Sequence, residues 1–372
     1  MSSSRSSLMP RPAHLFFLKI PSQFTHLMSK QDSVANSVVS AVVGEHPKRR
    51  GILQLILHFF SVLLSLYRIQ LTRTCPDRFR RLREEYWNFA PGEYQASFET
   101  RKALKPVGDM GFSGSTFYET RDAKYLIKSV PRHSEHSFFK NDLLDPYINH
   151  MESHPDSLLV RVLDLLRAVG PSIGRLLRLA PSHHIIMENI LRGKEESDGD
   201  ENVVWEKWDL KPTSYFYPER DIADGRLTSE STKDQLADEF HDKIILTRRQ
   251  AHDLLVSLEQ DTALLAQHNA VDYSLFLVRI THENGPESSN ITDTPSWRTG
   301  IQSPDGKHVF RAVILDFFWA KHKAQPMAMT LLVKLWNTMT NSGPMSITTT
   351  PQEYRERFLK MCHSIVEVVE GD

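Results

Sequence analysis

Residues 111–130 read GFSGSTFYETRDAKYLIKSV, and this stretch decides how the rest of the chain is interpreted. It opens with the small, turn-forming residues Gly111–Ser115 and continues with a β-rich run at 116–120. A short turn separates that run from a second one at 125–130. We therefore predict a β-hairpin that follows a glycine-containing loop and carries Lys128 near the end of its second strand.

The elements on either side of this hairpin indicate a mixed architecture. Short apolar runs bounded by turn residues predict strands, and longer runs with leucines at helical spacing predict helices. No regular βαβ alternation occurs, so we expect an α+β fold in two lobes, with antiparallel sheets and flanking helices, rather than a doubly wound parallel sheet. The predicted helices are 51–71, 136–151, 156–169 and 351–370, with a further long helical stretch within 233–269. The further predicted strands are His184–Met187, Tyr273–Ile280 and Val309–Leu315.

These elements divide the chain into three predicted parts. Residues 1–34 are expected to form a disordered or targeting tail, because the serine-rich, basic composition of 1–30 occurs both in disordered tails and in organelle transit peptides. Residues 35–190 are expected to form an N-terminal lobe with a helical front and the hairpin sheet. Residues 191–372 are expected to form a C-terminal lobe that includes an irregular segment at 319–350.

The composition is that of an ordinary globular protein. Hydrophobic residues make up 40% of the chain and the net charge is -1, so we expect no polyanionic partner such as nucleic acid. The two cysteines, Cys75 and Cys362, cannot form a disulfide framework, which favours a reducing compartment. The apolar run Ile52–Tyr67 is short for a membrane span and contains His58, so we interpret it as a buried helix. We therefore expect a protein of the cytosol or of the cytosolic face of a membrane.

An arginine-rich segment at 72–90 follows that apolar run. An arginine-rich helical face is usually a solvated one. It can also be a basic surface that faces anionic lipid, where each cation contributes about 1 kcal/mol. The arginines in question are Arg73, Arg78, Arg80, Arg81 and Arg83.

The hairpin offers parts that phosphoryl transfer requires, namely backbone N–H groups and a fixed cation around the phosphates. The Ser113–Ser115 stretch can turn N–H groups toward phosphate because Gly114 allows a close approach. Lys128 ends a strand, where lysine is uncommon, and the hairpin could return its ammonium group beneath the loop. An edge-strand lysine that faces water is an equally good interpretation.

Acidic residues at the ends of apolar runs could supply the carboxylates that hold Mg²⁺ and orient an acceptor hydroxyl. Asp272 precedes one predicted strand and Asp316 follows another. Carboxylates at such positions contact metal or substrate, but as often they only terminate a strand or cap a helix. Asp209 and Lys211 lie in a WDLKP stretch, where a loop or ion-pair role is the plain alternative.

Taken together and in order, these residues resemble the motifs of the phosphatidylinositol phosphate kinases. The resemblance covers roughly residues 35–370 and extends to LLDPYINH at 143–150 and SITTTPQEYRERF at 346–358. Asp-Tyr-Ser-Leu is specific in this context, whereas the glycine loop is not. The matching motifs are Gly-x-Ser-Gly-Ser-x-Phe at 111–117, Ile-Lys at 127–128, Met-Glu-Asn-Ile at 187–190, Asp-Leu-Lys at 209–211, Asp-Tyr-Ser-Leu at 272–275 and Ile-Leu-Asp at 314–316.

The resemblance implies a two-lobed lipid-kinase fold like that of SAICAR synthase, with ATP and Mg²⁺ as cofactors. The implied reaction phosphorylates a phosphoinositide at a membrane surface, with either the 4-phosphate (5-kinase activity) or the 5-phosphate (4-kinase activity) as substrate. The former, which converts phosphatidylinositol 4-phosphate to the 4,5-bisphosphate, is the commoner family activity and is the one we expect. The resemblance is also compatible with a homodimer. Segment 319–350 would be the activation loop. The implied ATP-binding residues are Ser113, Gly114, Ser115, Lys128, Met187, Glu188 and Asn189, the catalytic residues are Asp272, Lys211 and Asp209, the Mg²⁺ ligand is Asp316, and the residues facing lipid and membrane are Lys321 and Lys323.

Two departures from the family pattern concern catalysis and substrate choice. Pro212 follows Lys211 where the family has glycine, and proline removes a backbone donor beside the implied phosphate site. His322 interrupts the basic pair formed by Lys321 and Lys323. The alternative function is therefore a catalytically weak or inactive relative that binds nucleotide and lipid as a scaffold.

Overall fold

The computed structural model describes residues 30–44, 69–100, 102–108, 115–170, 172–177, 179–197, 200, 202–212, 240–282, 295–320 and 350–369. Three predicted features lie outside these ranges: the helix around Ile52–Tyr67, the loop residues Ser113 and Gly114, and the part of the predicted activation loop that carries Lys321 and Lys323. Within the described ranges, no helix is long and apolar enough to cross a membrane.

Six strands of the first half of the chain form one antiparallel sheet, in the order β1-β5-β6-β4-β3-β2. The predicted hairpin is confirmed as β3 and β4, which pair Phe117 with Lys128. Strand β6 lies between β4 and β5, so both of its edges are hydrogen-bonded. The strands are β1 (Gln70–Arg73), β2 (Leu104–Gly108), β3 (Phe117–Thr120), β4 (Tyr125–Ser129), β5 (Val162–Val169) and β6 (His183–Glu188).

Helices flank this sheet, and two of them continue into a π-helical turn, at Leu82–Tyr86 and at Phe139–Leu143. Val34 and Val38 of the first helix are buried in the core. The predicted boundary between tail and lobe at residues 34 and 35 therefore falls inside a helix. The helices are α1 (Lys30–Val43), α2 (Pro76–Arg81), α3 (Glu93–Glu99), α4 (His133–Phe138), α5 (Leu144–Ser153) and α6 (Ile173–Leu176).

The second half of the chain contains a four-stranded antiparallel sheet with two small ribbons. The sheet has the order β11-β12-β10-β7, while β9 pairs with β13 and β8 pairs in parallel with β14. The strands are β7 (Val203–Leu210), β8 (Ile244–Thr247), β9 (Ala270–Val271), β10 (Ser274–His282), β11 (Ile301–Gln302), β12 (His308–Leu315), β13 (Trp319–Ala320) and β14 (Val366–Val369), and the helices are α7 (Arg248–Gln267) and α8 (Pro351–Ile365).

Both long helices begin at a capping box that the sequence specifies. Thr247 accepts a hydrogen bond from the Gln250 N–H at 3.2 Å, and the Gln250 side chain accepts one from the Thr247 N–H at 2.9 Å. Thr350 and Glu353 form the same arrangement at the start of α8, with Pro351 in the first turn. The predicted start of the last helix at Pro351 is thereby confirmed.

Two of the predicted helices differ from the structure. The prediction for 156–169 is wrong, because Val162–Val169 forms strand β5. Residues 162–166 are buried on both faces of this strand, and its polar residues Asp164 and Arg167 lie three positions apart, so the apolar residues show no alternation that separates strand from helix. The predicted helix 351–370 ends at Ile365 and continues as β14. The long helical stretch predicted within 233–269 is confirmed as α7, which begins at Arg248 directly after β8.

One hydrophobic core joins both sheets. It includes Ile127 and Ile186 from the first sheet and Leu275 and Ile314 from the second. Residues 157–160 cross between them: the Ile314 N–H donates to the Leu158 carbonyl at 2.6 Å, and the Val160 N–H donates to the Ile314 carbonyl at 3.0 Å. The end of strand β12, where Asp316 follows, is therefore fixed to the first half of the chain.

Candidate active site

Lys128 and Asp316 form an ion pair across the two sheets. Lys128 Nζ donates a hydrogen bond to Asp316 Oδ1, although the residues are far apart in sequence. The lysine is buried, with 9% of its side chain exposed, while 38% of the Asp316 side chain is exposed. The cation is thus held from within the protein, and the carboxylate keeps an accessible side for a ligand.

A second lysine–aspartate pair lies beside the first. Lys211 Nζ donates to Asp272 Oδ1 at 2.8 Å, and 13% and 26% of the two side chains are exposed. Asp209, at the exposed end of β7, and Asp316 both lie close enough to Lys211 to raise its pKa. The structure therefore brings together five of the residues that the sequence predicts for the site.

Strand pairing explains why Asp272 and Asp316 are neighbours. Val271 pairs with Trp319 in the β9–β13 ribbon, and Ser274 pairs with Leu315 in the larger sheet, so the two aspartates lie between these pairs. Both adopt left-handed backbone, with φ values of 67° for Asp272 and 62° for Asp316. The two strands change direction together at the aspartates, which sets both carboxyl groups at one junction between sheet and ribbon.

Helix α8 contacts the backbone next to this junction. The Tyr354 hydroxyl donates a hydrogen bond to the carbonyl of Tyr273, the residue that follows Asp272. The Tyr273 ring packs against Tyr354 and Phe358, with centroids 4.7 Å and 4.9 Å away. All three rings are fully buried. The Asp272 backbone is therefore anchored on a rigid aromatic cluster.

The charges at the site stabilise one another. Burial would raise the pKa of the Asp316 carboxyl, but Lys128 and Lys211 outweigh it and hold the pKa below its ordinary value. Burial would lower the pKa of Lys211, but Asp272, Asp209 and Asp316 outweigh it and hold the pKa above its ordinary value. Asp316 and Lys211 therefore both carry their charges at neutral pH.

Residues 187–189, which are predicted to bind ATP and are named the hinge, are engaged in contacts within the protein. Met187 is buried in the middle of β6, and its backbone pairs with strands on both sides. The Asn189 amide donates to Glu119 Oε1 at 2.6 Å and to the Ala123 carbonyl at 2.9 Å. The Glu188 carboxylate accepts a hydrogen bond from the Arg161 N–H at 2.8 Å. Their side chains thus hold the hinge in place.

Sequence reasoning missed two residues that the structure adds to the site. Arg298 is buried, donates to the Glu188 carboxylate, and donates to the Leu159 carbonyl at 2.6 Å, so it joins the hinge to the crossing segment. Glu135 on α4 pairs with Arg132 at 2.9 Å and lies close enough to Lys128 and Asp316 for their charges to act on its pKa. Neither residue belongs to a short motif, so the sequence carried no signal for them.

Ser115 is the described end of the glycine-containing loop, and it is buried just before β3. The next residue is fixed by strand β4, because the Thr116 N–H donates to Ser129 Oγ at 2.7 Å. Of the predicted residues, Ser113, Gly114, Lys321 and Lys323 lie outside the described part of the chain.

The donor set at the site fits Mg²⁺ in chemistry. Among the described residues, no group of three or more His, Cys, Asp or Glu side chains could hold a metal ion. Magnesium in phosphoryl-transfer sites is usually held by one or two carboxylates together with substrate phosphates and water. The partly exposed Asp316 carboxylate matches that smaller requirement.

The arginine-rich segment has a structural role at two of its positions. Arg73 Nε pairs with the buried Asp164 at 2.5 Å. Arg83 is also buried, donates to the Leu163 carbonyl, and lies over the Tyr94 ring with its Cζ 4.2 Å from the centroid. Arg78 pairs with the exposed Asp145. The segment is therefore neither a uniform solvated face nor a uniform lipid-facing one.

Several known proteins resemble this chain. A probable phosphatidylinositol phosphate kinase of Dictyostelium discoideum is 29% identical over 224 residues, which cover 58% of this chain and 29% of the relative. Phosphatidylinositol 4-phosphate 5-kinase 1 of Arabidopsis thaliana is 27% identical over 221 residues, covering 59% and 27%. Phosphatidylinositol 4-phosphate 5-kinase-like protein 1 of Mus musculus is 25% identical over 207 residues, covering 55% and 48%. The chain thus spans less than half the length of each of these relatives.

The model of the family described as phosphatidylinositol-4-phosphate 5-kinase matches residues 98–298. This range is more than half of the chain and contains Lys128, Lys211 and Asp272, while Asp316 follows its end. The chain therefore belongs to the phosphatidylinositol-4-phosphate 5-kinase family.

Proposed function

We propose that this protein transfers the γ-phosphate of ATP to a phosphatidylinositol monophosphate head group. One observation carries the proposal: the pairs Lys128–Asp316 and Lys211–Asp272 converge at one junction in a chain that belongs to a lipid-kinase family. Two buried cations beside partly exposed carboxylates are the charges needed by phosphate groups, a metal ion and an acceptor hydroxyl.

The proposed roles follow from the position of each charge. The Lys128 ammonium binds ATP phosphates, and Lys211 neutralises charge on the phosphoryl group in transfer. Asp272 accepts the proton of the inositol hydroxyl as the hydroxyl oxygen bonds to the γ-phosphorus and the bond to the β,γ-bridging oxygen breaks. Asp209 raises the pKa of Lys211 and so keeps it charged.

Asp316 is the proposed Mg²⁺ ligand, and the bound ion would supply charge neutralisation on the phosphates. Lys128 keeps the Asp316 carboxylate ionised and oriented. We propose that the adenine lies against Met187, Glu188 and Asn189, and that Ser113, Gly114 and Ser115 cover the phosphates. The fold would be a two-lobed lipid-kinase fold like that of SAICAR synthase.

The proposed substrate is phosphatidylinositol 4-phosphate, with the 4,5-bisphosphate as product. This choice is supported by relatives whose names specify a phosphatidylinositol 4-phosphate 5-kinase, including one from Arabidopsis thaliana. Lys321 and Lys323 would approach the lipid phosphates in an activation loop at 319–350. A lipid substrate places the reaction at a membrane surface, which we propose to be its cytosolic face.

One residue favours the alternative of an inactive scaffold that binds nucleotide and lipid. Pro212 follows Lys211 directly and is buried, so no backbone N–H is available there beside the phosphates. The charged residues of the site are nevertheless all present, and they support turnover.

The test is transfer of labelled phosphate from ATP to liposomes, each containing one phosphatidylinositol monophosphate isomer. Asp316→Asn is the negative control, because asparagine tolerates left-handed backbone while removing the charge. Asp305→Asn, in an exposed turn before β12, is the matched control that should keep full activity. We expect turnover on the 4-phosphate that Asp316→Asn abolishes. Absence of turnover on every isomer, with ATP binding intact, would favour the scaffold, and Pro212→Gly would then be the variant to test.

A further inference from the structure

The connection between β5 and β6 exposes leucines at one end of the six-stranded sheet. The exposed fractions are 82% for Leu176, 57% for Leu177 and 37% for Leu179. We call these residues the leucine tip. Leu176 ends helix α6 and Leu177 follows it, while Ile173 at the start of the helix is half-buried. Neighbouring leucines exposed on a hairpin connection are a candidate for contact with an apolar environment outside the protein.

The charges around the leucine tip are of one sign. Residues 165–187 contain Arg167, Arg175 and Arg178 but no aspartate or glutamate. Arg167 and Arg175 are exposed, and within the described ranges neither forms an ion pair with a carboxylate. Arg175 Nη1 donates only to the Gly170 carbonyl, at 3.2 Å. No carboxylate of the described residues therefore pairs with the positive charge at Arg167 and Arg175.

Helix α4 adds further basic groups to the same surface. The His183 ring stacks on His136 with centroids 3.9 Å apart and meets His133 edge-on at 5.7 Å. Burial, then His133, Arg175 and Arg167, lower the pKa of His183 to about 4, so these groups face one another. Burial, then His183, His133 and Lys140, lower the pKa of His136 to about 3, and Lys140 is exposed in the π-helical turn that follows α4. We call Arg167, Arg175 and Lys140 the basic rim.

This surface lies on the side of the molecule where the candidate active site opens. Strand register places Val169 and His183 at the same end of the sheet as Ser129 and the start of β3. Arg132, which precedes His133, lies over the Trp319 ring with its Cζ 5.4 Å from the centroid. The basic surface thus continues to the residues at which the predicted activation loop begins.

We propose that the leucine tip and the basic rim form a membrane-docking site, with the leucines inserted among the lipids of an anionic phospholipid bilayer and the rim against their phosphates. A protein interface would be expected to have aromatic residues at its centre, and residues 165–182 contain none. Aliphatic side chains with cations around them are instead typical of segments that lie in the membrane interface. The docking does not depend on the proposed kinase reaction.

The test measures binding of the full chain to vesicles without ATP or phosphoinositide. Sedimentation compares vesicles of phosphatidylcholine alone with vesicles that also contain phosphatidylserine. The first variant is Leu176→Ser/Leu177→Ser, matched by Val204→Ser/Val256→Ser, which changes exposed apolar residues elsewhere. The second is Arg167→Gln/Arg175→Gln, matched by Arg248→Gln/Arg249→Gln at the exposed start of α7. Phosphate transfer in detergent micelles, measured separately, distinguishes loss of docking from loss of the proposed function.

We expect the leucine variant to weaken binding to anionic vesicles by about tenfold, and the arginine variant to do so only where phosphatidylserine is present. Both matched controls should bind like the unchanged chain. A fluorophore on Leu176→Cys, in a Cys75→Ser background, should brighten on anionic vesicles, and one on Val256→Cys should not. Unchanged vesicle binding by the leucine variant would overturn the proposal. A changed self-association of that variant, without a change in vesicle binding, would instead assign the tip to a protein contact.

Discussion

At the scale of single residues, the backbone of the two site aspartates restricts what can replace them. Asp316 and Asp272 have φ values of 62° and 67°, in the left-handed region that asparagine, aspartate and glycine tolerate best. Other residues pay about 1 kcal/mol or more there. A substitution at either position therefore changes both charge and backbone strain, and the two effects can be separated.

The first prediction separates them at Asp316. Asp316→Asn should lower phosphate transfer by about 100-fold or more, because it removes the carboxylate proposed to hold the Mg²⁺ that would neutralise the phosphates. Asp316→Ala should lose the same activity and, in addition, about 1 kcal/mol of unfolding free energy relative to Asp316→Asn. Urea denaturation of the two variants checks this, and equal stabilities would show that the backbone at 316 carries no strain.

The second prediction concerns His184, which is fully buried and whose two ring nitrogens have no hydrogen-bond partner among the residues that the structure describes. Burial, and then His183, lower the pKa of His184 to about 3. The unfolded chain, with an ordinary pKa of about 6.5, therefore binds a proton that the folded chain does not. His184 therefore does not reduce the free energy of unfolding above about pH 6.5. Below that pH the free energy of unfolding declines until the pH reaches the folded-state pKa.

We expect this histidine alone to remove about 1 kcal/mol of unfolding free energy between pH 7.5 and pH 5.5. His184→Leu should flatten that part of the pH profile. His252→Leu, on the exposed face of α7, serves as the control that should leave the slope unchanged. An identical slope in the His184 variant would contradict the assignment of acid sensitivity to this residue.

Much of the site was accessible from the sequence at this scale, because its residues lie in short motifs. Lys128, Lys211, Asp272 and Asp316 were each predicted, and the structure brings them together. Their roles stay proposals. Arg298 and Glu135 could not be predicted, since their contacts depend on tertiary packing between segments that are distant in sequence.

At the scale of elements, the contacts that position the site join strands and helices rather than neighbouring residues. The crossing segment at 157–160 is fixed to β12 by backbone hydrogen bonds and to β6 through Arg298. Helix α8 is fixed to the residue after Asp272 through Tyr354. The two side-chain contacts, through Arg298 and through Tyr354, can each be removed by one substitution.

Arg298→Met should lower the free energy of unfolding by about 3 kcal/mol, because the largely buried Glu188 carboxylate then lacks its charged partner. Arg298→Met/Glu188→Gln should recover part of the loss, which a double-mutant cycle measures. Arg249→Met is the control, since 92% of the Arg249 side chain is exposed and its loss should cost little. If the changes in unfolding free energy caused by Arg298→Met and Glu188→Gln simply add in the double variant, the two side chains are not energetically coupled.

Tyr354→Phe should lower unfolding free energy by about 1 kcal/mol through the loss of its hydrogen bond to Tyr273. If α8 positions Asp272, kcat should fall while the KM for ATP stays unchanged. Tyr86→Phe is the matched control, because its hydroxyl accepts a bond from Arg81 at 3.0 Å on the exposed surface. A loss of stability without any change in kcat would limit Tyr354 to a structural role.

The elements also show where sequence interpretation failed. Alternating or turn-bounded strands such as β3 and β4 were predicted correctly. Strand β5 was predicted as a helix because residues 162–166 are buried on both faces, so that its apolar residues do not alternate with polar ones. The short β14 was read as the end of a helix, since its pairing with β8 is set by tertiary contact alone.

At the scale of the whole molecule, the shared core favours a single unfolding transition. Buried residues of both sheets, among them Ile186 and Ile314, belong to one hydrophobic cluster. We therefore expect tryptophan fluorescence and far-ultraviolet circular dichroism to give coincident denaturation curves. Two separated transitions would indicate that the halves of the chain unfold independently.

The left-handed aspartates have a consequence for how this sequence can vary. A library of all substitutions at 272 and 316, sorted first for protein abundance, should retain asparagine and glycine beside aspartate. The same library sorted for lipid phosphorylation should retain aspartate alone. A natural homologue with asparagine at either position would thus be expected to fold but not to phosphorylate lipid. Its gene would be under selection for a folded protein and no longer for catalytic activity.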